Sequence, residues 1–204
     1  MVQTRMSGPQ RRDHILDVCR SVVDAEGFHA VNVDRIAKQC GITRPVVYQQ
    51  FGGLGGMLIA LVDREILRAG MGFLQATDEA RTDDAVTPRD LVARLLIAVD
   101  ENPATWRMFM LPSEGGPPEL YERLAQAQAA VRWYVSSTLL GRAALPDRDV
   151  TVRILHAACD EIVRLRLRDP AVFTIDRLLA QVDWIAALVA AAATGELAHR
   201  SADT

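Results

Sequence analysis

Residues 12–51 constrain this chain more than any other stretch, because their apolar spacing, caps and glycines agree on one local structure: three short helices, the last two joined by a tight turn. Ile15, Val18, Cys19, Val22 and Val23 recur at helical spacing. They predict a first helix over residues 10–26, with Gly27 in a left-handed conformation at its end. Asn32 is a competent N-cap for a second helix, and Val31 stands where it can staple onto Ile36. That helix ends near Cys40, and Gly41 makes the turn. Thr43 caps a third helix, with Ile42 stapled onto Val47. Pro45 is tolerated in the first turn because its missing N–H has no intrahelical partner there. The pattern is a helix-turn-helix, in which the N-terminal side chains of the second helix face outward into a DNA major groove.

The rest of the chain reads as helix too. Helices are expected at residues 54–75, 88–101, 103–111, 117–140, 148–168 and 174–194. They are separated by a polar stretch at 77–88 and by breaks at Asn102-Pro103, Gly115-Gly116-Pro117-Pro118, Leu145-Pro146-Asp147 and Asp169-Pro170. Residues 1–9 are polar and are expected to be unstructured. No alternating strand pattern competes, so the fold class is all-α with about nine helices. The expected division is a helix-turn-helix domain at 1–53 and a larger helical domain at 54–204, with the helix from 54 as connector.

Charge supports a division of labour. The chain carries a net charge of -3, yet residues 1–58 hold seven basic and five acidic side chains against 16 and 21 in the remainder. A basic end beside an acidic body suits contact with a polyanion at the basic end. The cysteines Cys19, Cys40 and Cys159 are odd in number and widely spaced, and read as core thiols rather than ligands or a disulfide. His14, His29 and His199 lack ligand spacing, so no metal or cofactor is expected. No catalytic or phosphate-loop motif is present, which points away from an enzyme. With no leader pattern, and with the apolar run 178–193 interrupted by Gln181 and Asp183, a cytoplasmic protein without a membrane partner is expected.

On the third helix the exposed positions are Arg44, Pro45, Val46, Gln49 and Gln50. Arginine pairs bidentately with guanine and glutamine with adenine, while valine or proline touches a thymine methyl. Thr43, Tyr48 and the helix start at Asn32 suit phosphates, and Val47 and Phe51 pack inward. Double-stranded DNA is the expected partner. The positions Ile15-Leu16, Gly27-Phe28, Val33, Ile36-Ala37, Gly41-Ile42-Thr43, Tyr48, Phe51 and Leu58 together resemble the DNA-binding domain of the tetracycline-repressor family of bacterial regulators. Three features depart from that family's habit. Gln50 replaces a common histidine, Asn32 replaces Thr or Ser, and Gly52, Gly53, Leu54, Gly55 and Gly56 replace a run that usually contains Lys-Glu. Leu54 takes the place of the phosphate-contacting lysine, and helical glycines cost about 1 kcal/mol each against alanine, so a looser link between reading head and body is expected.

The resemblance implies a helical ligand-binding and dimerisation domain, and a homodimer that reads a palindromic operator and is released by a small molecule. It places the dimer contact on the last two long helices, where Ile154, Leu155, Ile162, Leu178, Val182, Ile185 and Val189 are the apolar candidates. For a largely apolar effector the candidates are Trp106, Phe109, Met110, Tyr121, Trp133 and Tyr134, with His156 and Asp160 as polar contacts on one helical face. The Ser113–Pro118 loop is a candidate gate. Regulation by a protein partner instead, or a small-molecule binder with a vestigial reading head, remain open alternatives.

Overall fold

The computed structural model describes residues 6–80, 87–110, 118–134, 136–137 and 147–193. Among these it has nine α-helices and no strand. They are α1 (Gly8–Glu26), α2 (Val33–Cys40), α3 (Arg44–Phe51), α4 (Leu54–Ala80), α5 (Pro88–Glu101), α6 (Pro103–Met110), α7 (Pro118–Tyr134), α8 (Arg148–Arg168) and α9 (Ile175–Ala193). A short 3-10 turn, Phe28–Ala30, follows α1. The all-α expectation holds.

Three local expectations are corrected. α1 begins at Gly8, inside the stretch expected to be unstructured, because Ser7 and Gln10 form a capping box: the Ser7 N–H donates to Gln10 Oε1 at 3.0 Å and the Gln10 N–H to Ser7 Oγ at 3.4 Å. α4 runs on to Ala80, past the expected break at Thr77, since Thr77, Asp78, Glu79 and Ala80 include no glycine or proline to stop it. Gly27 ends α1 with φ 88 and ψ 172, a positive φ with an extended ψ rather than the left-handed helical pair. The Gly115-Gly116-Pro117 and Leu145-Pro146 breaks, most of the candidate gate, His199, and the helix positions expected at 111, 117, 135, 138–140 and 194 lie outside the described residues.

The described residues form two compact units: one up to Ala69 with Ala104 to Gln126, the other Gly70 to Pro103 with those from Ala127 on. In the first, α1 packs on the 3-10 turn and α2, and α2 on α3. Its core gathers Ile15, Cys19, Phe28, Ile36, Val47, Met57, Leu61 and Val62 with Met108 of α6 and Leu120 of α7. Burying each large aliphatic or aromatic side chain contributes roughly 1.5–3 kcal/mol. Val31 and Ile36 are both buried in this core, and Ile42 packs against the cluster that holds Val47, as the two staples require.

A polar node is built into this unit. Glu65 of α4 is fully buried, and its Oε1 accepts from Arg64 Nε and Arg68 Nη1, each at 3.0 Å. Its Oε2 accepts from the hydroxyl of Thr105 on α6, which is also buried. Arg64 reaches back to Asp17 of α1 at 3.0 Å, and Arg107 of α6 holds Asp24 of α1 through two bonds of 2.6 and 2.9 Å. A buried charge needs such partners, so α1, α4 and α6 are held in one register.

In the second unit α5 packs on α8 and α9. Leu96, Ile162, Leu178, Leu179 and Val182 form its core. Arg166 clamps Asp100 with two bonds, of 2.8 and 2.6 Å, and donates to the carbonyl oxygens of Pro170 and Phe173, which fixes the turn between α8 and α9.

Candidate nucleic-acid interface

The turn between α2 and α3 is set by hydrogen bonds that only a left-handed residue permits. Gly41 has φ 64 and ψ 32, its N–H reaches the Lys38 carbonyl at 3.2 Å, and the Ile42 N–H reaches the Ala37 carbonyl at 3.0 Å. Asn32 caps α2 by accepting from the Arg35 N–H at 2.8 Å. Thr43 occupies the N-cap position of α3, but its hydroxyl makes no capping bond, contrary to the expected cap. That leaves an exposed hydroxyl at a helix N-terminus, where phosphate oxygens are well received.

α3 sits on the core through Val47, which is fully buried, and Phe51, which packs against the same cluster. Arg44, Pro45, Tyr48 and Gln49 face outward, and Tyr48 is 55% exposed. Val46 and Gln50 are half-buried, so they offer less surface than their sequence positions suggest. Two arginines missed in the sequence reading shape this surface. Arg12 of α1 donates to the backbone carbonyl of Gln50 and lies 4.3 Å over the Phe51 ring, so it closes the C-terminal end of α3 with charge and stacking. Arg35 pairs with Glu26 at 2.9 Å, pulling the Glu26 carboxyl below the ordinary carboxylate range. Arg44 is ion-paired with Asp34 of α2, which raises it above the ordinary arginine range. The sequence signal for Asp34 was its place in the first turn of the second helix, which reads equally well as simple charge–dipole stabilisation.

The glycine run has a structural explanation that its composition hides. Gly52 ends α3 in the left-handed region at φ 75, and Gly53 follows at φ 140. Gly55 and Gly56 are helical, and a Cβ on Gly56 would lie 1.9 Å from the backbone carbonyl oxygen of Phe51. The first turn of α4 therefore comes down onto the last residue of α3 through a position with no side chain. Leu54, at the place of the absent lysine, is 37% exposed.

The effector candidates fall into two sets. Trp106 is buried, Phe109 and Met110 are half-buried and Tyr121 is exposed in the first unit. Trp133, Tyr134, His156 and Asp160 belong to the second. There Tyr134 packs edge-on against Phe73 at 5.3 Å. His156 Nδ1 lies 3.5 Å from Asp160. Burial pushes the imidazole below the ordinary histidine range and the Asp160 carboxyl above its own. Trp133, 71% exposed, lines a half-open recess of about 400 Å³ with Arg132, Ser136, Arg148, Asp149 and Val152, and of the aromatic candidates only Trp133 lines it. Among the described residues no group of three or more histidine, cysteine or acidic side chains could hold a metal. No single helix there is long and apolar enough to cross a membrane.

The dimer candidates also divide. Ile162, Leu178 and Val182 are buried in the core of the second unit and present almost nothing outward. Leu155, Ile185 and Val189 are half-buried, and Ile154 is 61% exposed. Trp184 and Leu188, 59% and 40% exposed, are the large apolar side chains of α9 that the sequence reading passed over.

Comparison with known proteins agrees with this geometry. Residues 15–61 match the family model of bacterial regulatory proteins, tetR family. The HTH-type transcriptional regulator EthR of Mycolicibacterium smegmatis is 28% identical over 145 residues, 70% of this chain and 67% of that protein. A TetR-like transcriptional regulator from Rhodococcus sp. RHA1 superposes with a TM-score of 0.69 at 19% identity, over 95% of this chain and 99% of that one. A SmeT–triclosan complex superposes with a TM-score of 0.63 at 21% identity, over 84% and 89% of the respective chains.

Proposed function

We propose that this chain, a DNA-binding transcriptional regulator of the tetR family, is a repressor that grips a palindromic operator as a homodimer and lets go when a small, largely apolar molecule binds its body. The observation that carries the reading is the outward face of α3, where Arg44, Pro45, Tyr48 and Gln49 stand on the buried base of Val47. Such a face meets base edges in the major groove, with Thr43, Tyr48 and the start of α2 on phosphates. Gln50 and Val46 make shallower contacts. Residues 1–53 serve as reading head and 54–204 as body.

Two recognition helices must span half-sites about 34–36 Å apart, which requires a second copy. Exposed Ile154, Trp184 and Leu188, with half-buried Leu155, Ile185 and Val189, supply apolar surface for that contact. The effector reading is supported by the aromatic candidates and by the SmeT relative, whose structure is a complex with triclosan. Release requires only that the effector favour one of two states, and a coupling of about 1–3 kcal/mol changes operator affinity by about 5–150-fold. A protein that works on DNA in this way belongs in the cytoplasm.

The test is selection of bound duplexes from random DNA, first by the native chain and then by Arg44→Ala. The native chain should recover a palindrome, and the variant should lose or alter it. Selection of a single unrepeated half-site would count against the homodimer. No enrichment at low salt would move a vestigial reading head to first place.

A further inference from the structure

We propose that Asp34 is a specificity-determining residue of the reading head: it holds one edge of the Arg44 guanidinium and so fixes the direction in which Arg44 meets a guanine. This rests on the DNA-reading assignment above. The two residues come from the first turns of different helices, Asp34 from α2 and Arg44 from α3, and the turn at Gly41 brings their side chains into an ion pair.

The pair does not serve the core. Both side chains are more than half exposed, 62% for Arg44 and 59% for Asp34, whereas the contact between α2 and α3 is made by apolar side chains such as Ile36, Ala37 and Val47. Surface ion pairs contribute little to stability. A carboxylate on a surface meant for DNA also carries a cost, since it faces phosphate. Its placement is explained by what it does to its partner.

A guanidinium is a rigid fork with five N–H donors. Asp34 engages one of the terminal nitrogens of Arg44, which leaves other N–H groups for the O6 and N7 acceptors of guanine. Without Asp34, a long side chain at the start of α3 samples many rotamers and binds any phosphate it reaches. With Asp34, Arg44 is locally neutralised, so phosphate gains little from it while a correctly placed guanine still meets a held fork. Discrimination therefore comes partly from a repulsive element.

The experiment selects duplexes from a random pool with the native chain, Asp34→Asn, Asp34→Glu and Arg44→Ala, alongside thermal unfolding of each. Asp34→Asn should lower the unfolding temperature by no more than about 2–4 °C, the loss of one first-turn charge. It should lose about five-fold or more of the preference for guanine at the half-site position that Arg44→Ala also loses. Its affinity for random duplex should rise, with a log–log salt slope steeper by roughly 0.9, the value of one added phosphate contact. Asp34→Glu should restore part of the guanine preference. Unchanged base preference in Asp34→Asn, with affinity shifted equally for all sequences, overturns the proposal. If Arg44→Ala loses no guanine preference, it is overturned as well. A native chain that enriches nothing at low salt overturns the DNA-reading assignment itself, and is recognised because all four proteins then behave alike.

Discussion

The hydroxyl of Thr105 should matter more than its methyl group, which reverses the usual order at a buried site. Thr105 is 1% exposed and Glu65 is fully buried, so no solvent replaces the bond that the hydroxyl donates to Glu65 Oε2. In Thr105→Val the volume is kept and the donor is lost. Arg20, 4.0 Å from that oxygen, is too far to replace the bond. A hydrogen bond to a charged group is worth about 1.5–3 kcal/mol, and that is the expected loss. Thr105→Ser keeps the donor and removes one buried methyl, a loss of about 1 kcal/mol. For a chain of this length each kcal/mol moves the unfolding midpoint by about 2–4 °C, so the valine variant should fall by about 3–12 °C. Urea unfolding can be followed by tryptophan emission, because Trp106 is buried beside the substitution while Trp133 and Trp184 are already exposed. A valine variant within about 0.5 kcal/mol of native, with serine the less stable of the two, would refute the view that Glu65 needs this donor.

Four further outcomes follow from particular residues. Gly56→Ala should destabilise the first unit by about 1–3 kcal/mol and weaken DNA binding, because the new Cβ meets backbone rather than a movable side chain. Gly55→Ala, with nothing within 4 Å, should stabilise it by about 0.5–1 kcal/mol, and paired denaturation curves decide. Cys19 and Cys159, whose thiols burial pushes up to about 12, should resist iodoacetamide at pH 8 in the folded chain and react once urea unfolds it. His156 is held below its ordinary range while Asp160, Arg132 and Arg164 act on it. The unfolded chain therefore binds the extra proton first, so stability should fall as pH drops below about 6.5, and His156→Gln should flatten that slope in denaturation curves between about pH 7 and 5. Asp160, raised by burial, contributes with the opposite sign, so the His156 signal is read as the difference between the native chain and His156→Gln.

The reading head was legible in the sequence because its determinants are local. Caps act over three residues, a left-handed glycine over one, and staples over five, so Asn32, Gly41, Val31 with Ile36 and Ile42 with Val47 announce α2, the turn and α3 without help from the rest of the chain. Apolar periodicity likewise marked the helices of the body, though not which apolar residues its interior would absorb. Ile162, Leu178 and Val182 fit a dimer stripe as well as any others until packing against Leu96 took them inside and left Trp184 and Leu188 outside. The pairings Asp34 with Arg44, Arg12 with the end of α3, and Glu65 with Thr105 join residues 10, 38 and 40 apart in the chain. Gly56 looked like a weakness by helix propensity and became a point of close approach only once Phe51 lay against it. Local hydrogen bonding and side-chain period are written along the chain. Which faces meet, and therefore which charge is buried and which glycine is needed, depends on the spatial arrangement of helices, which only tertiary packing decides.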